Sequence, residues 1–434
     1  MSGPASGGPA GLKALQLRAI GHTIVRSMRY DCDVAVVGAG PAGSRTARDL
    51  AARGFRVRLI EEHRAVGLPS HCSGLISLRT LREAGIGDDA IIHRVTGAFI
   101  HTQSGSEVAL GGGATRAVAI DRVRWDQTLC EQAEASGADL IRARVTGVER
   151  EGSHMRLRTQ TDGREAFLTT RLVVGADGTH SRVRRTLGMA APREYAYNLG
   201  VEGRLKVRRE DFVHVLVGQA MAPGWFGWII PTGGGMVRVG IGSHNGVKPI
   251  QCYGQMKQRF PGLFDGIEPC RMYGGTIPLE FAPRTYGHGV LLVGDAAGQV
   301  KPFSGGGIYT SLVAARHAAV TAAEAMEADD LSARRLSAYE KRWKREIGRE
   351  LLRSLRIRHF GLALSEGEVE RVISSLRSEG LQTLAARHGD IDYPSRVLLR
   401  LARSAPALAM LSWITLRRPG ATWNLVRAHL PFAV

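Results

Sequence analysis

The sequence predicts an α/β chain, α+β overall: a Rossmann-like dinucleotide-binding domain with a parallel sheet, an inserted antiparallel β-sheet domain, and a helical C-terminal region. Three observations predict it. Residues 34–43 read VAVVGAGPAG, an apolar strand running into Gly38, Gly40 and Gly43. Residues 193–281 alternate apolar and polar positions, as in FVHVLVG at 212–218 and MVRVGIG at 236–242, the period of a half-buried strand. Beyond QVKPFSGGGIYTSL at 299–312 the pattern turns helical to the C-terminus.

In a G-x-G-x-x-G turn the first glycine permits the tight bend. The second lets a pyrophosphate approach the backbone, and the third lets the helix pack on the strand. Free N–H groups at the helix start then face the phosphates with the positive end of the helix dipole. The helix is expected from about Ala42 to Arg53, ended by Gly54, and FRVRLIEE at 55–62 follows as a strand closing at Glu61. Glu61 stands 18 positions after Gly43, close to where the fingerprint places an acid on a ribose hydroxyl. Together these assign Gly38, Gly40, Pro41, Ala42, Gly43 and Glu61 to a bound dinucleotide.

Next comes the loop GLPSHCSGLIS, 67–77, with Cys72 in its middle. A lone cysteine is either inert packing or chemistry, and the residues alone leave both open. Short strands broken by Gly111, Gly112 and Gly113 are expected over 95–119, then an amphipathic helix over 119–141. That helix would bury Val123, Leu129 and Ala133, with Asp121 as its N-cap. Residues 145–163 read as a hairpin. RLVVGADGTHSRVRRTLG at 171–188 is a second strand entering a glycine turn, here followed by a cationic helix. In PGWFGWIIP, 223–231, Trp225, Phe226 and Trp228 are either core or a ligand surface. GVLLVGDAAG at 289–298 is a third strand entering a glycine turn. The predicted organisation is an extension over 1–30, a discontinuous dinucleotide-binding domain (31–94, 114–190 and 284–330), a β-rich substrate domain (95–113 and 191–283), and a helical, basic region over 331–434.

At 434 residues the chain can bury two or three cores. Its net charge of +18 points to an anionic partner or to a solubilising surface. No RNA- or DNA-binding motif accompanies the charge, so nucleic acid is not an expected partner. Five cysteines, with no C-x-x-C pair, argue against a disulfide framework or a metal site and fit a reducing compartment. Residues 1–27 carry no acid; they read as an amphipathic or transit-like segment, or as sequence ahead of a true start at Met28. Residues 393–434 also lack acids and contain SAPALAMLSWITL followed by Arg417 and Arg418. That run suits a helix on an anionic membrane surface or a buried helix with a solvated basic flank.

Three glycine turns on distant strands imply one cofactor larger than a mononucleotide. This arrangement resembles the FAD-dependent, para-hydroxybenzoate hydroxylase-like enzymes. The resemblance implies that Asp177 and Gly178 brace the cofactor, that Asp295 binds ribityl and pyrophosphate, and that Gly305, Gly306, Gly307 and Ile308 face the flavin ring. Arg122 matches an arginine near the pyrophosphate. Helix-start amides there would stabilise negative charge on a reduced flavin. Within this group the chain resembles the geranylgeranyl reductase family over most of residues 31–395. The matches are the cysteine loop Pro69–Gly74, the box at 223–231, Pro302 with Gly305–Ile308, and the segments YEKRWKREIGREL (339–351) and GDIDYPS (389–395). The family box reads P-x-x-Y-x-W-x-F-P; here Phe226 replaces the tyrosine and Ile230 the second aromatic, and the cysteine loop reads C-S-G.

The resemblance implies saturation of carbon–carbon double bonds in a polyprenyl chain by hydride from reduced FAD. Trp225, Phe226, Trp228 and Ile230 would line the substrate tunnel. Cys72, beside the flavin, would gate or relay the proton; a thiol is too weak an acid for easy direct donation to an alkene. NAD(P)H or a ferredoxin-type acidic carrier would supply electrons. The expected location is cytoplasmic, peripheral to the inner face of an anionic membrane. A monooxygenase or halogenase of the same fold and a reductase of a quinone isoprenoid side chain are the competing enzymes, and a basic membrane scaffold with a vestigial flavin fold is the non-enzymatic reading.

Overall fold

In the computed structural model, residues 30–244, 246–420, 423 and 426 are described; the expectations for residues 1–27 lie outside them. The first strand, Cys32–Val37, is almost wholly buried because it sits inside an eight-stranded sheet. It pairs in parallel with Val57–Glu61 on one side and Arg164–Gly175 on the other, and Asp139–Arg142 and Val290–Leu292 extend the parallel set. Strands buried on both faces read as continuous apolar runs, which is why VAVV and LVV carry no alternation. One face packs against helices Pro41–Ala51, Arg122–Ala135 and the alanine-rich Ile308–Glu327. The other is covered by the hairpin Arg144–Glu151 with His154–Thr161 and by the short helix Arg182–Thr186.

The predicted helix over 119–141 is shorter than expected. Strand Ala117–Ile120 precedes it, Asp121 caps it through the amides of Val123 and Arg124, and Gly137 at φ +98° follows its end. The residues after that turn are claimed by the edge of the parallel sheet, beside Val57–Glu61. Trp125 rather than Val123 is its large buried side chain.

A second, seven-stranded sheet runs in the order 268–278, 195–204, 236–243, 227–233, 212–217, 97–102, 107–111. Its neighbours are antiparallel except 97–102 with 212–217, which are parallel. The exception arises where an early excursion of the chain adds a hairpin to the sheet edge. Two helices the sequence reading missed, Pro249–Arg259 and Pro261–Phe264, bury Cys252, Met256 and Phe264 against one face of this sheet. The other face is turned to the cavity described below. From Ala333 the described chain is helical, as predicted.

The helix Ala405–Arg417 is docked rather than free. Ile414 is fully buried with Ile357, Phe360, Leu364 and Leu399, while Leu408 and Leu416 stay exposed. Among the described residues no helix is long and apolar enough to cross a membrane.

A buried ion pair ties the C-terminal region to the parallel-sheet half. Lys301 Nζ lies 3.1 Å from Asp392 Oδ1 and donates to the Ile391 carbonyl at 2.7 Å, with both side chains at most 4% exposed. Ser77 also donates to Asp392. Asp392→Ala is therefore expected to leave an unpaired buried ammonium and cost about 3–5 kcal/mol, read as a lowered urea midpoint; a loss under about 1 kcal/mol would mean that Lys301 reaches water.

Candidate active site

The glycine turn is shaped by what a side chain would strike. Gly38 has φ +98°, and a Cβ there would lie 2.4 Å from the Ala176 carbonyl oxygen. A Cβ on Gly43 would lie 1.8 Å from the Gly38 carbonyl oxygen. Gly40, by contrast, faces open space. The helix that starts at Pro41 has no side-chain cap, so its first amides are open to an anion. Glu61 is buried and stitched to the turn: one oxygen accepts the Ala39 N–H at 2.8 Å, the other the His63 N–H at 3.0 Å.

The other two glycine turns meet the first. Asp177 Oδ2 accepts the N–H groups of Arg182 (2.6 Å) and Val183 (3.0 Å), so the acid braces the short cationic helix; its Oδ1 is buried with no partner. Asp295 is held between Thr179, whose hydroxyl is 3.5 Å away, and Gly307, where a Cβ would lie 3.2 Å from Oδ1. Burial pushes the Asp295 carboxyl above its ordinary pKa, against the pull of Arg122. Gly305, Gly306 and Gly307 lead into the 20-residue helix Ile308–Glu327, again without a side-chain cap.

Cys72 lies on a clamped loop. The Gly74 N–H donates to its Sγ at 3.3 Å, and the Arg122 guanidinium, itself paired with Asp126 at 2.8 Å, approaches the thiol. Arg238 donates to the carbonyls of Ser73 and Ile120, both at 2.9 Å, and Arg271 to that of Ser70 at 3.3 Å. Both guanidinium groups share Glu202. Burial alone would raise the Glu202 carboxyl, but the two arginines outweigh it and hold it below the ordinary range.

Opposite that loop, one face of the seven-stranded sheet is paved with rings. Cβ atoms on Gly200, Gly240 and Gly242 would come within 2.2 Å of Tyr273, 2.1 Å of Trp228 and 2.0 Å of Trp225. Glycine at these three positions is what lets the rings lie on the sheet. Trp225 stacks on Phe226 with ring centres 5.1 Å apart, and Phe226 meets Trp228 edge-on at 5.9 Å.

These parts enclose one cavity of about 1370 Å³, larger than the ~300–1,000 Å³ of an ordinary small-molecule site. It is lined by every residue predicted for cofactor or substrate except Gly43, which sits behind the turn and spaces the helix from the strand. Sequence reasoning missed three contributors. Tyr273 is visible only through the glycine paired with it across the strands. Arg358 is 6% exposed and lies 5.1 Å from the Trp225 ring centre, with Nε and Nη2 unpartnered. Burial lowers its pKa to about 10, against the pull of Glu194. The third is the C-terminal helices, whose Phe360, Leu364, Leu398 and Leu401 line the same cavity. Among the described residues no cluster of three or more metal-ligating side chains occurs.

The features fit a flavin dinucleotide. Two uncapped helix starts, an open backbone at Gly40 and an orphaned Asp177 oxygen face one space. A model of the FAD binding domain matches residues 31–257. The chain is 32% identical to a digeranylgeranylglycerophospholipid reductase of Methanopyrus kandleri, over 85% of this chain and 96% of the relative. It is 30% identical to the digeranylgeranylglycerophospholipid reductase of Methanothrix thermoacetophila over the same shares. Among solved structures it resembles a geranylgeranyl bacteriochlorophyll reductase-like protein of Thermoplasma acidophilum, with TM-score 0.76, 26% identity, and 92% and 99% of the two chains covered.

Proposed function

From the premise that this chain belongs to the geranylgeranyl reductase family of FAD-dependent oxidoreductases, we propose that it saturates double bonds of a polyprenyl chain carried on a lipid or diphosphate. The observation that carries this reading is the continuity of the cavity from the three glycine turns to the aromatic floor and the apolar C-terminal helices. A dinucleotide alone does not need such a wall; a long apolar chain does.

Gly38, Gly40, Glu61 and the helix start at Pro41 would hold the ADP half. Asp295, Arg122 and Gly305–Ile308 would hold the ribityl, pyrophosphate and ring. Reduced FAD held by these residues would supply the hydride for one alkene carbon. The remaining work belongs to the chain. Trp225, Phe226, Trp228 and Ile230 position an unactivated alkene and exclude water. The clamp of Arg238, Glu202 and Arg271 keeps Cys72 at one edge of the same space, where it gates or relays the proton that the second carbon requires. The basic surface fits an acidic electron carrier or an anionic membrane face, and NAD(P)H is the alternative donor.

The test is mass spectrometry after single turnover. Dithionite-reduced protein is expected to add two hydrogens, or multiples of two, to a geranylgeranyl phospholipid or diphosphate. No mass gain on any polyprenyl substrate, despite bound and reducible FAD, would refute the reading.

A further inference from the structure

Tyr273 is the buried polar group that the reading above leaves unused. It is 8% exposed, lines the cavity, and its hydroxyl has no hydrogen-bond partner. A buried hydroxyl without a partner costs free energy unless a ligand or water completes it. Its position is built from two directions. On its own strand the neighbours on the same face are Arg271, which donates to the Ser70 carbonyl, and Gly275, where a Cβ would lie 3.7 Å from His71 Cβ. Tyr273 therefore faces the cysteine loop between two of that loop's contacts. On the paired strand Gly200 stands opposite it, and any side chain there would displace the ring.

We propose, on the premise that the chain reduces polyprenyl double bonds, that Tyr273 is a catalytic acid that delivers the proton to the second alkene carbon. As hydride reaches the first carbon, the π electron pair shifts to the second. The second carbon forms its C–H bond with the Tyr273 proton, and the O–H pair stays on the phenolate. Cys72 returns a proton to the phenolate through one bridging water. The thiolate left behind is stabilised by the Gly74 N–H and the Arg122 guanidinium until solvent reprotonates it. Hydride plus proton adds one H₂ across the bond, and the two electrons come from the reduced flavin, itself reduced by a nicotinamide or ferredoxin-type donor.

Burial, and after it the charge of a Cys72 thiolate, push the Tyr273 phenol above its ordinary pKa. The group thus stays protonated and ready throughout the neutral range. The ground-state alkene is out of reach of a thiol and a phenol alike; once hydride transfer has begun, the second carbon is basic enough to take a proton from either, so placement decides, and Tyr273 lines the cavity with its hydroxyl unpartnered.

The experiment compares Tyr273→Phe with wild type by stopped flow. Dithionite-reduced holoenzyme is mixed anaerobically with geranylgeranyl phospholipid or diphosphate, and flavin reoxidation is followed in H₂O and D₂O. Tyr273→Phe removes only the oxygen. It should keep flavin content and Tm, slow reoxidation by polyprenyl substrate at least tenfold, leave reoxidation by O₂ unchanged, and alter the solvent isotope effect. Cys72→Ala should slow repeated turnover, and the double variant should be no slower than Tyr273→Phe, as for groups acting in series. Wild-type reoxidation with an unchanged isotope effect in Tyr273→Phe would overturn the proposal while leaving the reductase reading intact. A wild type that never reoxidises on polyprenyl substrates would overturn the reductase reading, and this one with it.

Discussion

Gly43→Ala is expected to destabilise the protein before any ligand is considered, whereas Gly40→Ala is expected to remove the flavin and little else. The added methyl at Gly43 would sit 1.8 Å from the Gly38 carbonyl oxygen and 3.3 Å from the Ala176 Cβ. The obstacle is backbone of the glycine turn that follows the strand Cys32–Val37, so no rotamer change relieves it. The helix from Pro41 to Ala51 would have to back away, uncoupling its contacts with the helices Arg122–Ala135 and Ile308–Glu327. Overpacking a core costs about 1–3 kcal/mol, and a clash against backbone should reach at least the top of that range. The same methyl at Gly40 meets nothing within 4 Å but projects where a pyrophosphate must approach. Urea unfolding of the flavin-free proteins, with FAD titration of each, separates the two: a large stability loss for Gly43→Ala, and an FAD Kd at least tenfold weaker at unchanged stability for Gly40→Ala. Wild-type stability in the first variant would mean that the turn is looser than its geometry.

The second large effect is on turnover. Trp228 rests on Gly240, where a Cβ would lie 2.1 Å from the indole, and meets Phe226 edge-on. Trp228→Ala should lower kcat/KM for polyprenyl reduction at least tenfold, through a lower kcat and a higher KM, because the alkene loses the surface that positions it. Flavin content should persist, since none of the three glycine turns contains Trp228. Gly240→Ala should reproduce the defect with the ring still present, by lifting it from the sheet. Turnover per bound flavin that is unchanged in both variants, or FAD lost from Trp228→Ala, would show that the rings are scaffold and not substrate wall.

How much of this could be read from the chain depends on range. The helix expected from about Ala42, the Asp121 cap and the hairpin over 145–163 are local patterns, and each is present. The helix expected over 119–141 was cut short because the sheet edge claimed Asp139–Arg142, a tertiary demand on a locally ambiguous segment. The run at 404–416 left a helix on an anionic membrane surface and a buried helix both open; in the fold Ile414 turns inward and Leu408 and Leu416 outward.

The sequence by itself determined the dinucleotide turn and the strand that ends at Glu61, because both are short patterns of neighbouring residues; for Cys72 and the rings at 223–231 it left packing and chemistry both open until the family resemblance was drawn. Only the tertiary structure decided that Tyr273 lies over Gly200, that Arg238 and Arg271 hold the cysteine loop through Glu202, and that the C-terminal helices wall the cavity. Those facts rest on strand register and helix docking between segments far apart in the chain. A one-residue slip in register would turn each of these side chains to the opposite face, and no local pattern specifies against it.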